Sequence, residues 1–133
     1  MKKKSLFAFA LLVLAGAFSL AAQPSAAQKA DAVVPLKGLD PVMLAKGKEV
    51  KGDDKLTVTR GGFRYLFSSA ETKALFEKEP KLYEIQMGGS CPVVPGAEGD
   101  PDRFAVYKER IYIFASDQCV ESFKANPEEF VKN

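Results

Sequence analysis

YLFSSAETKALFEKEPKLY, residues 65–83, lies without a gap on YIFASDQCVESFKANPEEF, residues 112–130. At an offset of 47, Tyr65 matches Tyr112, Phe67 matches Phe114, Ser69 matches Ser116, Phe76 matches Phe123 and Pro80 matches Pro127. Leu66/Ile113 and Tyr83/Phe130 are conservative pairs at the same offset. A repeat of this length marks a duplicated supersecondary unit that is too small to bury its own apolar face, so two copies are expected to share one core.

The content of each unit follows from local pattern. LTVTRGGFRYLF, residues 56–67, alternates apolar and polar residues on both sides of Gly61-Gly62, which is the signature of a two-residue hairpin turn that requires positive φ. Residues 70–79 fit a short helix with Ser69 as N-cap and with Pro80 closing it. Upstream, Pro41-Val42 corresponds to Pro92-Val93 once about four residues of loop are removed. Lys46 to Lys55, with its Gly-Asp-Asp, reads as a solvated loop. The expected fold class is therefore α+β: two small hairpin-plus-helix units packed as a pseudo-repeat, residues 38–90 and 91–133, behind a flexible lead-in at 28–37.

Residues 1–27 read as an export signal. Lys2, Lys3 and Lys4 precede an apolar run from Leu6 to Ala22, and Pro24 and Ser25-Ala26-Ala27 form a small-residue cleavage site. Its removal leaves 16 basic and 17 acidic residues, so the +2 of the whole chain becomes about −1. A near-neutral surface gives no electrostatic footprint for nucleic acid. The mature chain of about 106 residues suffices for one small domain, with no stable membrane span after cleavage. Its expected location is periplasmic or secreted, where a cysteine pair is usually joined.

There are two cysteines and no histidine. Cys91 directly precedes Pro92-Val93. Cys119 stands three residues after the proposed cap Ser116, on the helical face of Phe123, and so points inward. The equivalent positions of the first unit are Asp40 and Thr72.

Pro-Val near the start, an aromatic hairpin ending in Tyr-x-Phe, a serine, and a helix with Phe-x-x-x-Pro and a closing aromatic together resemble the YHS domain and the related TRASH-type metal-associated treble-clef fingers. The resemblance covers nearly all of residues 38–131 and implies two tandem YHS-like units of treble-clef type. Metal-binding relatives have a cysteine beside Pro-Val and two more in a Phe-Cys-Ser-x-x-Cys turn, a cluster suited to zinc or soft copper. This chain keeps Cys91 and Cys119 but has Ala115 at the middle position, and its first unit offers Asp40, Ser68 and Thr72 with no thiol. These are degenerate equivalents of metal ligands, and a four-ligand zinc site within one chain is nearly excluded.

Three readings of the cysteine pair follow: a structural disulfide, a two-thiolate site for Cu(I) or another soft ion helped by Met87 or Met43, and free or redox-active thiols. The expected function is an exported, non-enzymatic binding or accessory module that meets an unknown protein partner or small ligand, without a cofactor. Its alternative is a periplasmic soft-metal carrier or sensor using Cys91 and Cys119. Gly61-Gly62 and Gly88-Gly89 match no phosphate-loop spacing, and GAEGDPDR, residues 96–103, departs from a calcium loop. Catalysis by serine or cysteine lacks its usual imidazole base.

Overall fold

A computed structural model describes residues 31–132. Residues 1–27, read as the export signal, lie outside the described residues. In chain order the main elements are α1 (Pro41–Ala45), β1 (Asp53–Arg60), β2 (Phe63–Phe67), α2 (Ala70–Lys78), α3 (Pro80–Tyr83), β3 (Asp100–Tyr107), β4 (Arg110–Phe114), α4 (Asp117–Ala125) and α5 (Pro127–Phe130). The two sheets are separate antiparallel pairs, β1–β2 and β3–β4. The architecture is α+β.

β1, β2, α2 and α3 each have a counterpart 47 residues later with the same bounds. Arg60 pairs with Phe63 and Tyr107 with Arg110, and each ladder carries an irregularity at the same place, between Asp53 and Thr57 and between Asp100 and Phe104. Ser69 and Ser116 both sit at φ −153° and cap the N–H of Thr72 and of Cys119. Gly61 and Gly62 close the first hairpin at φ 60° and 84°. The second hairpin reaches the same left-handed turn with Lys108 and Glu109, at φ 50° and 62°, where a side chain carries a steric cost. Pro80 and Pro127 end the preceding helices and also open further single turns, because proline at the first helical position loses no hydrogen bond.

The correspondence continues upstream. Leu36, Lys37 and Gly38 form a left-handed turn, as do Met87, Gly88 and Gly89. Gly52 N–H donates to Gly38 O at 2.8 Å and Gly99 N–H to Gly89 O at 2.8 Å. A Cβ on Gly52 would lie 2.5 Å from the Leu66 backbone, and one on Gly99 would lie 2.5 Å from Ile113 Cγ1. Two sequence expectations are corrected here. Of the expected solvated loop from Lys46 to Lys55, Asp53, Asp54 and Lys55 are strand rather than loop, because β1 begins at Asp53, although all three are exposed. The expected lead-in is tied down from Val33, whose N–H donates to Gly62 O at 3.1 Å and whose O accepts from Arg64 N–H at 2.8 Å. Leu36 then enters the core with no exposed surface.

The two halves share that core. Ile111 and Ile113 of β4 belong to the cluster formed by Leu36, Val42, Tyr65, Phe67 and Phe76. On the other face of the same strand, Tyr112 and Phe114 pack with Cys91, Cys119 and Phe123. The β3–β4 sheet is thus apolar on both faces, so β4 lacks the alternation of a half-exposed strand. At the equivalent places in β2 stand Arg64, which is exposed, and Leu66, which is half-buried. The outer face of the first sheet is therefore solvated, and stacking ends at two units.

Candidate functional site

Each unit has one buried anchor where its Pro-Val segment meets the start of its long helix. In the first unit the anchor is Asp40, which is fully buried. Its Oδ1 accepts from Val42 N–H at 2.8 Å and Met43 N–H at 3.2 Å, capping α1. Its Oδ2 accepts from Ser68 N–H at 2.8 Å, Ser68 Oγ at 2.7 Å and Thr72 Oγ1 at 2.6 Å. A carboxylate so placed is tolerated because both oxygens are filled by donors, and breaking the set would strand a buried charge.

In the second unit the anchor is Cys91, 1% exposed, facing Cys119, 8% exposed. The two cysteines lie 4.0 Å apart and unbonded. Burial alone would push the Cys91 thiol up, but the N–H groups of Ala115, Val94 and Val93 and the Cys119 thiol outweigh it and bring Cys91 below its ordinary value. These donors match those of Asp40: Val93 and Val94 stand for Val42 and Met43, Ala115 for Ser68, and Cys119 for Thr72. Ser116 completes the site. Its hydroxyl accepts from Cys119 N–H and also lies 3.2 Å from Cys119 Sγ, within donating distance.

The structure thus brings Cys91, Cys119 and Ala115 together in one cluster, and Asp40, Ser68, Thr72 and Met43 in the other. Met43 contributes its backbone N–H to Asp40. Met87 is 52% exposed on the left-handed turn, where it borders a small pocket with Phe63, Tyr65 and Glu84. Neither methionine belongs to the cluster around the thiols. Among the described residues no group of three or more histidine, cysteine, aspartate or glutamate side chains converges. Sequence reasoning missed Ser116 as a partner of the thiol and the ring of backbone donors around each anchor. Asp-Pro-Val, an N-cap followed by proline at N1, was the signal for the first of those rings.

A cleft of about 350 Å3 opens where the halves meet, lined by Leu44 and Glu49 from the first and by Phe104, Tyr107, Phe123 and Lys124 from the second. Phe123 also packs in the cluster around Cys91 and Cys119, so the cleft and the thiols share a wall. Among the described residues no helix is long and apolar enough to cross a membrane. Comparison with protein-family models, with curated proteins and with solved structures finds no match to the chain.

Proposed function

We propose that this chain is an exported, non-enzymatic binding or accessory module built from two YHS-like units, in which a Cys91–Cys119 disulfide replaces the metal site of the resembled family. The observation that carries this reading is the placement of the two buried cysteines 4.0 Å apart across the junction of the second unit. A cysteine pair this close is within reach of the roughly 2 Å S–S bond once the side chains turn toward each other. The bond would close a loop worth about 3–4 kcal/mol on the chain-entropy account. The first unit supports the same reading, because its own anchor is a polar staple, Asp40 to Thr72, at the corresponding place. With both anchors structural, recognition of a partner or small ligand falls to the surface, and the cleft beside Phe123 and Lys124, where the halves meet, is the place we assign to it.

The test is an intact mass of the protein purified from its export compartment, with and without alkylation under non-reducing, metal-free denaturation. A mass about two daltons below the reduced chain with no label taken up supports the staple. Two labels remove it, and two thiols that Cu(I) shields from alkylation would favour a soft-metal carrier in its place.

A further inference from the structure

We propose that the Cys91–Cys119 pair is a reversible thiol–disulfide exchange site, in which Cys119 is the sulfur attacked by an incoming thiolate and Cys91 is the sulfur that leaves. The assignment rests on the joined pair proposed above and adds a reaction to it. Its geometric basis is the match between the two anchors. The place that Cys91 occupies holds a carboxylate in the first unit, where Val42 N–H, Met43 N–H, Ser68 N–H and the Thr72 hydroxyl converge on Asp40. Val93, Val94 and Ala115 stand in the second unit where Val42, Met43 and Ser68 stand in the first, and their backbone groups lower the Cys91 thiol against the effect of burial. Such a ring of backbone donors is an anion-binding nest. A nest that accommodates negative charge on Cys91 makes it a good leaving group, and exchange is faster when the departing thiolate is stabilised.

Access favours the same direction. Cys119 is 8% exposed and Cys91 1%, so the less deeply buried cysteine is the one on the first turn of α4. The Ser116 hydroxyl, 3.2 Å from Cys119 Sγ, is placed to donate to the thiolate when that sulfur is released in turn.

The reaction balances as follows. A thiolate of an external dithiol attacks Cys119 Sγ of the oxidised pair. The Cys91–Cys119 bond breaks, its electron pair stays on Cys91 Sγ, and a mixed disulfide joins the external sulfur to Cys119. The second thiolate of the external molecule attacks the external sulfur of that mixed disulfide and displaces Cys119 as a thiolate, which takes a proton from water. The external dithiol leaves as a disulfide, two electrons having passed to the protein. Run backwards, the same steps let an external disulfide oxidise the pair.

The experiment uses the wild-type mature chain, oxidised with oxidised glutathione and then exposed to reduced glutathione. Samples are quenched with acid and N-ethylmaleimide, digested and weighed. The expected result is glutathione on Cys119 in at least about tenfold excess over Cys91, with a reduction rate unchanged by urea below the unfolding transition. Glutathione on Cys91, or a rate that climbs with urea in step with unfolding, would overturn the assignment and leave an inert staple. The outcome is separable from that of the preceding reading. Protein isolated with two free thiols sinks the staple, whereas the exchange site stands if oxidised glutathione closes the pair through the Cys119 adduct. If oxidised glutathione closes no bond, the exchange site falls.

Discussion

Thr72 donates its hydroxyl to the buried carboxylate of Asp40 at 2.6 Å, at the place where the second unit sets Cys119 against Cys91. The same backbone junction is thus closed by two different chemistries in one chain. Asp40→Ala should cost roughly 3–5 kcal/mol, because it empties a buried site and strands the two hydroxyl and three N–H donors around it. Thr72→Val removes one charge-assisted bond and should cost about 1.5–3 kcal/mol. Urea unfolding of both variants checks these figures. A loss below about 0.5 kcal/mol for Asp40→Ala would deny the junction its structural role.

If the two anchors are geometrically equivalent, Asp40→Cys combined with Thr72→Cys should install a second pair that closes under oxidised glutathione. Non-reducing mass should then fall by a further two daltons or so. Two persistent labels in the first unit would show that the backbones differ at the junction.

Tyr65 carries a second prediction on stability. Its hydroxyl accepts the Ile85 N–H at 2.9 Å, and burial pushes its pKa up to about 12. The unfolded chain ionises this tyrosine near pH 10 and the folded chain does not, so between about pH 10 and 12 the unfolded state binds fewer protons. Stability should therefore fall as pH rises through that window, by roughly 2–3 kcal/mol for this residue. Tyr65→Phe should remove that part of the alkaline slope and cost about 1–3 kcal/mol near neutrality, since Ile85 N–H loses its partner. Unfolding curves from pH 8 to 11.5 for the two proteins decide it, and parallel slopes would refute it.

The second hairpin turn is open to improvement. Lys108 and Glu109 occupy left-handed conformations at φ 50° and 62° that the first hairpin gives to glycines. Lys108→Asn with Glu109→Gly should raise stability by up to about 1 kcal/mol, read as a higher Tm, because this dipeptide suits the turn. A lower Tm would mean that the two side chains contribute more than their strain costs.

Much of the fold was legible in sequence because the duplication gave two independent samples of each local rule. Ser69 and Ser116, Gly61-Gly62 and the alternation before Phe67 each have one physical reading. What remained hidden came from tertiary contact. Leu36 sits in a stretch that looks like a tail and is buried because it joins a cluster drawn from both halves, with Val42, Tyr65, Phe76, Ile111 and Ile113. Gly52 resembles a loop glycine, and its need for glycine appears only with Leu66 beneath it. At the site, the inward direction of Cys119 was legible from its spacing to Phe123. The backbone donors around Cys91 were not, since N–H groups carry no signature in residue type. Asp40 looked like the remnant of a lost ligand; its five donors mark it as a working part of the first unit.

The central claim is that Cys91 and Cys119 act as one staple, and urea unfolding of Cys91→Ser, Cys119→Ser and the double variant, each with and without reductant, tests it most directly. Under oxidising conditions each single variant should lose roughly 2–4 kcal/mol, the double variant should lose about the same as either, and reductant should bring the wild type down toward them. Small losses that add in the double variant and ignore reductant would contradict the account, leaving two neighbouring thiols that never join.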